Sequence, residues 1–227
     1  LRATPASVFG DNQYLAVAAH LASNYDIDGL HLDHIRYAGR YTSCDPVSLA
    51  RGGPCSQSTA YQDWQRTQVN GTVSKFYDLI SQQHPDLMLS AAVWPTYRDY
   101  WGWGYSQGYF DYYQDSQGWI KGGYIDALMP MIYSPNEQTF RLERWQTLVQ
   151  NFQQNSGGRF IIAGVGSNHY SSFSGIEERI DAARQLGAAG HAIFSYGGLK
   201  NQALDYFQLL ADGPHARPAV LPEISWR

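Results

Sequence analysis

A carboxylate that attacks a substrate or steadies a developing positive charge must stand where substrate can reach it, and a second group must manage the proton. The run Ile27-Asp28-Gly29-Leu30-His31-Leu32-Asp33-His34-Ile35-Arg36-Tyr37 offers the first of these. Read as a strand, it turns Leu30 and Leu32 to one face and Gly29, His31 and Asp33 to the other, because successive side chains alternate. In a parallel barrel the leucines pack on helices, His31 and Asp33 point inward, and Asp33 stands at the strand's C-terminal end, where barrel enzymes hold their reacting groups. The bland alternative for Asp33 is a structural salt bridge to Arg36. His31, one layer below, either orients Asp33 and touches ligand or is a satisfied interior histidine. Arg36 and Tyr37 follow as candidates to bind hydroxyls or a carboxylate. For the proton-managing group the sequence offers Glu137, just beyond a later strand, whose alternative is a solvated loop carboxylate. Asp99 and Asp111 are weaker candidates. Asp115 stands at a helix start, where capping explains it, and Asp28 and Asp126 open strands, where structural roles are expected.

The elements that must position these groups alternate. Apolar residues at helical spacing predict helices over 11–24, 59–83, 114–121, 139–154, a stretch from 174 to 187, and 202–210. Short apolar runs bounded by Pro, Gly or Asn predict strands at 27–37, 87–93, 125–133, 160–165 and 191–196. Ser174-Gly175-Ile176-Glu177 has the spacing of a capping box. Asn70-Gly71-Thr72 matches a glycosylation acceptor but falls inside a predicted helix, which argues against that use. Trp94, Tyr133, His169 and Tyr196 come at or just after strand ends and are candidate sugar-cleft residues. Residues 97–113 hold Trp101, Trp103, Tyr105, Tyr109, Tyr112 and Tyr113, either a sugar platform or a self-packed loop.

Five strands alternating with helices indicate a parallel α/β chain, and fewer strands than the eight of a closed barrel. A five-stranded open doubly wound sheet is the alternative. With 227 residues, 44% of them hydrophobic, the chain can bury a sizeable core. Sixteen basic and twenty acidic residues give a net charge of −4 without a Lys/Arg cluster, which argues against a nucleic-acid partner. No apolar run approaches the ~20 residues of a membrane span, and no leader pattern opens the chain. Cys44 and Cys55 share one loop. A bridge between them suits an oxidising compartment, two free thiols being the alternative, and their separation lacks the close pairing of zinc sites.

The run Asn24 to Tyr37 resembles the fourth-strand motif of the glycosyl-hydrolase-like family 10 proteins, a (β/α)8 group of bacterial carbohydrate-active proteins. Tyr113-Gln114-Asp115, Trp119, Gly123, Ile125-Asp126 and Met129-Pro130-Met131-Ile132-Tyr133 are similar to that family's run into strand six. Met131 stands where the family usually carries Gln, so a thioether replaces the amide there. The resemblance implies a TIM-type barrel represented by strands four to eight, with residues 1–213 as the barrel and 214–227 as a tail or linker. It further implies a secreted or envelope-associated glycoside hydrolase acting on a cell-envelope polysaccharide or exopolysaccharide without metal or other cofactor, with Asp33 and Glu137 as its carboxylates. His31, Arg36, Tyr37, Trp94, Tyr133, His169 and Tyr196 would then bind the poly- or oligosaccharide. A sugar-binding protein without turnover, or an inactive fragment, are the alternatives.

Overall fold

The computed structural model describes residues 4–42, 44–133, 141–202, 204–220 and 222–226. Its five strands lie in one sheet in the order β1-β2-β3-β4-β5, each separated from the next by helix, as in part of a (β/α)8 barrel. The chain divides into two compact units, one up to Leu128 and the other Met129–Trp226.

The first unit contains α1 (Val8–Asn24), β1 (Gly29–Leu32), α2 (Pro46–Gly52), α3 (Thr59–Gln83), β2 (Met88–Val93), α4 (Gly108–Asp111), α5 (Ser116–Gly122) and the start of β3 (Ala127–Pro130). Side chains open its long helices: Ser7 accepts from the Gly10 amide and Ser58 from the Tyr61 amide, each filling an orphan donor of the first turn. Val69, Val73, Phe76 and Ile80, spaced three or four apart on α3, are buried together, as the sequence pattern predicts. Asp11 is buried on α1 because α3 satisfies it, through Thr72 Oγ1 at 2.9 Å and Lys75 Nζ at 2.7 Å. Thr72 and Asn70, which accepts from the Trp119 indole at 2.6 Å, are thus structural residues of the glycosylation-like triplet.

β1 and β2 pair in parallel with Gly29 opposite Met88 and His31 opposite Ser90. A Cβ at Gly29 would strike the Met88 carbonyl, so this close approach requires glycine. Asp126, fully buried before β3, accepts from the Leu89 amide at 2.7 Å and confirms its expected structural role.

The predicted long loop after β1 contains α2, whose N-cap Asp45 accepts from Val47 and Ser48. Cys44 and Cys55 are joined as a disulfide across it. Cross-linking positions 11 residues apart removes loop entropy from the unfolded chain, worth about 3 kcal/mol. Reduction, or a Cys44→Ser/Cys55→Ser double variant, is therefore expected to lower the unfolding free energy by that amount, read from urea titrations followed by tryptophan fluorescence.

The second unit contains the end of β3, α6 (Leu142–Gln154), β4 (Phe160–Gly166), α7 (Ser174–Gln185), β5 (Gly190–Phe194), α8 (Tyr196–Lys200) and α9 (Tyr206–Asp212). Trp145, Leu148, Val149 and Phe152 form the buried face of α6, and the Trp145 indole donates to the Gly164 carbonyl of β4 at 3.0 Å. The predicted first two residues of this helix, Thr139 and Phe140, lie outside the described residues. The capping box does not form: Phe173 is the N-cap of α7 without a side-chain cap, and Ser174 Oγ instead lies 2.7 Å from Ser172 Oγ. Ser174 is already the first residue of the helix, one position past the cap, so its hydroxyl is not placed to accept from the amide three residues on.

After α9 the chain returns to this unit, with Pro214 accepting from Arg184, Trp226 edge-on to Phe160 at 4.6 Å, and His215 Nε2 2.8 Å from His191 Nε2. Burial first, then His215 and Arg184, push the His191 imidazole down to about 4 from an ordinary 6.5. An unfolded chain therefore takes up a proton that the folded chain refuses between those values, and stability falls as pH drops through that window. The expected loss is on the order of 2 kcal/mol after allowance for solvent screening. Urea midpoints between pH 7 and pH 4 measure it, and His191→Gln should flatten the profile.

Candidate functional site

β1 ends at Leu32 and the chain turns at once. Asp33 stands at that turn with 59% of its side chain exposed, and its Oδ1 accepts from the His34 amide at 2.7 Å. His34 has φ +53°, the left-handed region that residues with a Cβ seldom enter. Such a conformation persists where surrounding structure imposes it, which is common at functional turns. The His34 imidazole lies 4.0 Å from the same carboxylate.

His31 is held by the neighbouring strand, its Nδ1 2.9 Å from Ser90 Oγ. Burial lowers the His31 pKa while the Asp33 charge raises it, and burial prevails. Arg36 and Trp94 are brought together, the guanidinium lying 5.5 Å from the Trp94 ring and 5.9 Å from that of Tyr112, while the two rings themselves lie 4.0 Å apart. A cation over a paired aromatic face is an amphipathic surface with donors at its edge. Tyr37 is 3% exposed, packs edge-on against Tyr113 at 5.5 Å and donates its amide to the Tyr112 carbonyl at 3.1 Å, so it is a buried support rather than an open surface.

Gln114 organises the cluster and escaped the residue-by-residue reading. Fully buried, it accepts from the Trp94 amide through Oε1 at 2.7 Å. Its Nε2 donates to the carbonyls of Ile35 and Ala92 at 3.2 and 3.3 Å. One amide thus joins the turn after β1 to the end of β2. Periodicity cannot flag a buried glutamine, and the only signal was its place in the strand-six motif.

The other candidate acids of this unit have structural partners. Asp99 accepts backbone amides from Trp101, Trp103 and Gly104 at 3.3, 3.0 and 2.7 Å. Desolvation raises its pKa, but those hydrogen bonds outweigh it and hold the carboxyl below its ordinary range. Asp111 accepts from Arg40 and from the Gln107 amide. Asp115 caps α5 as expected and also accepts from the Tyr97 hydroxyl at 2.7 Å. Glu137 lies outside the described residues.

A groove of about 950 Å³ runs along α1 and β1, apolar at Tyr14, Val17 and Leu21 and polar where Asp33, His34 and Arg36 line it. In the second unit Tyr133, His169 and Tyr196 follow the C-terminal ends of β3, β4 and β5. Tyr133 stacks on Phe194 at 4.8 Å; His169 is half-buried over Gly166, where a Cβ would meet its ring; Tyr196 is 68% exposed and packs on Phe207 at 5.1 Å. Among the described residues, no group of three His, Cys, Asp or Glu could hold a metal ion, and no helix is long and apolar enough to cross a membrane.

The chain is 25% identical over 225 residues to the glycosyl hydrolase YngK of Bacillus subtilis, covering 91% of this chain and 44% of that relative's length. In fold it is similar to the endo-β-1,4-mannanase of Thermotoga petrophila, with a TM-score of 0.51 and 11% identity over 81% of this chain and 40% of the mannanase. Bee venom hyaluronidase aligns over 88% of this chain and 62% of its own, with a TM-score of 0.41 and 11% identity. The model of the family described as glycosyl hydrolase-like 10 matches residues 12–165, more than half of the sequence. With the fourth-strand and sixth-strand motifs both inside that match, the chain belongs to the glycosyl hydrolase-like 10 family.

Proposed function

We propose that this chain acts as a glycoside hydrolase on a polysaccharide of the cell envelope or extracellular matrix, with Asp33 as its key carboxylate. The observation that carries the reading is an exposed carboxylate at the C-terminal end of a parallel strand, at a turn whose next residue has a left-handed backbone, lining one groove with Arg36. Cleaving a glycosidic bond builds positive charge at the anomeric carbon, which a carboxylate at that position stabilises or captures. In this reading Arg36 and Trp94 hold the sugar adjoining Asp33, Tyr37 packs behind them against Tyr113, and Glu137, which lies outside the described residues, is proposed as the general acid. His31 extends that surface in the first unit, and Tyr133, His169 and Tyr196 are proposed to bind sugar in the second. A disulfide supports action outside the reducing cytoplasm.

A second reading, sugar binding without turnover, is favoured by one observation. The carboxylates Asp99 and Asp111 are committed to backbone amides and to Arg40, so neither stands ready as a second catalytic group beside Asp33. The two readings separate on a panel of neutral glucans, β-1,4-mannan and amino-sugar polymers, with products read by mass spectrometry. Hydrolysis releases new reducing ends; binding alone retains affinity without product.

A further inference from the structure

The segment between β2 and α5 is closed at its neck, where Gly108 donates to Thr96 O at 2.8 Å and Tyr109 to Tyr97 O at 3.1 Å. Arg98 braces that neck, its guanidinium 3.8 Å from the Tyr109 ring. Inside the closure, Trp101 and Trp103 stack at 4.6 Å with an interplanar angle of 21°. Tyr100 meets Trp101 edge-on and Tyr105 meets Trp103 edge-on, each at 5.9 Å. The glycines between and after the tryptophans, Gly102 and Gly104, have φ of +68° and +74° with open space around them. These backbone turns place both indoles on one side, and Asp99 fastens them there through three amide hydrogen bonds. The rings are nevertheless not core: Trp101, Trp103 and Tyr105 are half-buried and Tyr100 is 58% exposed.

A loop that packed only for its own stability would bury its largest apolar rings. This one spends a carboxylate and two left-handed glycines on presenting them. We infer that the half-exposed Trp101–Trp103 stack, flanked by Tyr100 and Tyr105, is a carbohydrate subsite whose solvent-facing ring surface takes the apolar face of a pyranose ring in a polysaccharide chain. The inference rests on the proposed carbohydrate role of this unit. The loop begins at Trp94, which donates its indole N–H to Ser106 O at 2.7 Å, and that same ring lies beside Arg36. Stack and cluster are thus parts of one covalently continuous rim. Flat amphipathic rings suit this task because they offer area at small entropy cost and tolerate any equatorially substituted sugar.

Affinity electrophoresis through gels containing glucomannan, carboxymethyl cellulose or glycol chitin tests the subsite, with Asp33→Asn as the background so that no turnover intervenes. At least one polysaccharide should retard the Asp33→Asn protein. Adding Trp101→Ala and Trp103→Ala should weaken that retardation roughly tenfold, whereas Trp101→Phe with Trp103→Phe should keep most of it. The phenylalanine pair keeps the loop packed, and melting curves of both pairs report whether each is folded. Equal retardation of the alanine variant, or no retardation in any of the three gels, overturns the subsite. Retardation that depends on the tryptophans, in a protein that releases no product from any polymer, leaves the subsite standing and removes the hydrolase reading instead.

Discussion

Asp33→Asn should abolish product release while leaving the fold intact. The exchange is isosteric, and an asparagine Oδ1 still accepts from the His34 amide, the 2.7 Å contact that fixes the side chain. With 59% of the side chain in solvent, the substitution falls among exposed changes that move stability by within about 0.5 kcal/mol. On the proposed reading, what is lost is the negative charge that would face the anomeric carbon. A positioned carboxylate of this kind contributes on the order of 10²–10⁴-fold, so the rate of reducing-end release should fall by that factor with polysaccharide affinity retained. Equal release by parent and variant would falsify the role given to Asp33.

Gln114→Leu has the opposite signature, a change at a buried residue behind the proposed sugar contacts that lowers both stability and activity. Leucine fills a similar volume but deserts the Trp94 amide and the Ile35 and Ala92 carbonyls, all of which the glutamine amide serves. Buried polar groups without partners cost about 1–3 kcal/mol apiece, partly relieved where water can enter, so a net loss near 3 kcal/mol is expected. For a domain of this size that is a fall in melting temperature of about 10 °C. Activity should fall further than stability explains, because the same amide holds the turn carrying Arg36 against Trp94. Gln114→Glu separates the two effects: its oxygen can still accept from Trp94, but it presents a carboxylate to two carbonyl oxygens unless it takes up a proton. It should therefore recover with falling pH. A leucine variant that melts and turns over like the parent would remove Gln114 from the positioning role.

Much of this architecture was legible in the linear pattern because its signals are local. Alternation between short apolar runs and amphipathic stretches located the five strands, and α3 matches its predicted bounds of Thr59–Gln83. Strand ends were less legible: the runs at 125–133 and 191–196 shorten to Ala127–Pro130 and Gly190–Phe194. There, side chains at the C-terminal ends leave the ladder to turn toward the rim, and apolar composition cannot mark where pairing stops. The capping box at Ser174 failed for a related reason, since the helix takes Phe173 as its cap and spacing alone does not mark where a helix begins.

By itself, the sequence determined the parallel α/β pattern, the family, the place of Asp33 at a strand end, the structural use of Asp115 and Asp126, and the pairing of two cysteines as the preferred reading. Each follows from periodicity, motif order or residues close in the chain. Tertiary structure alone decided that His31 pairs with Ser90, that Tyr37 is a buried support, that Arg36 lies over Trp94 and Tyr112, and that Gln114 binds them together. Those contacts join residues up to 79 positions apart in sequence. Their geometry depends on how strands register and turns close, and no local pattern of side chains encodes that directly.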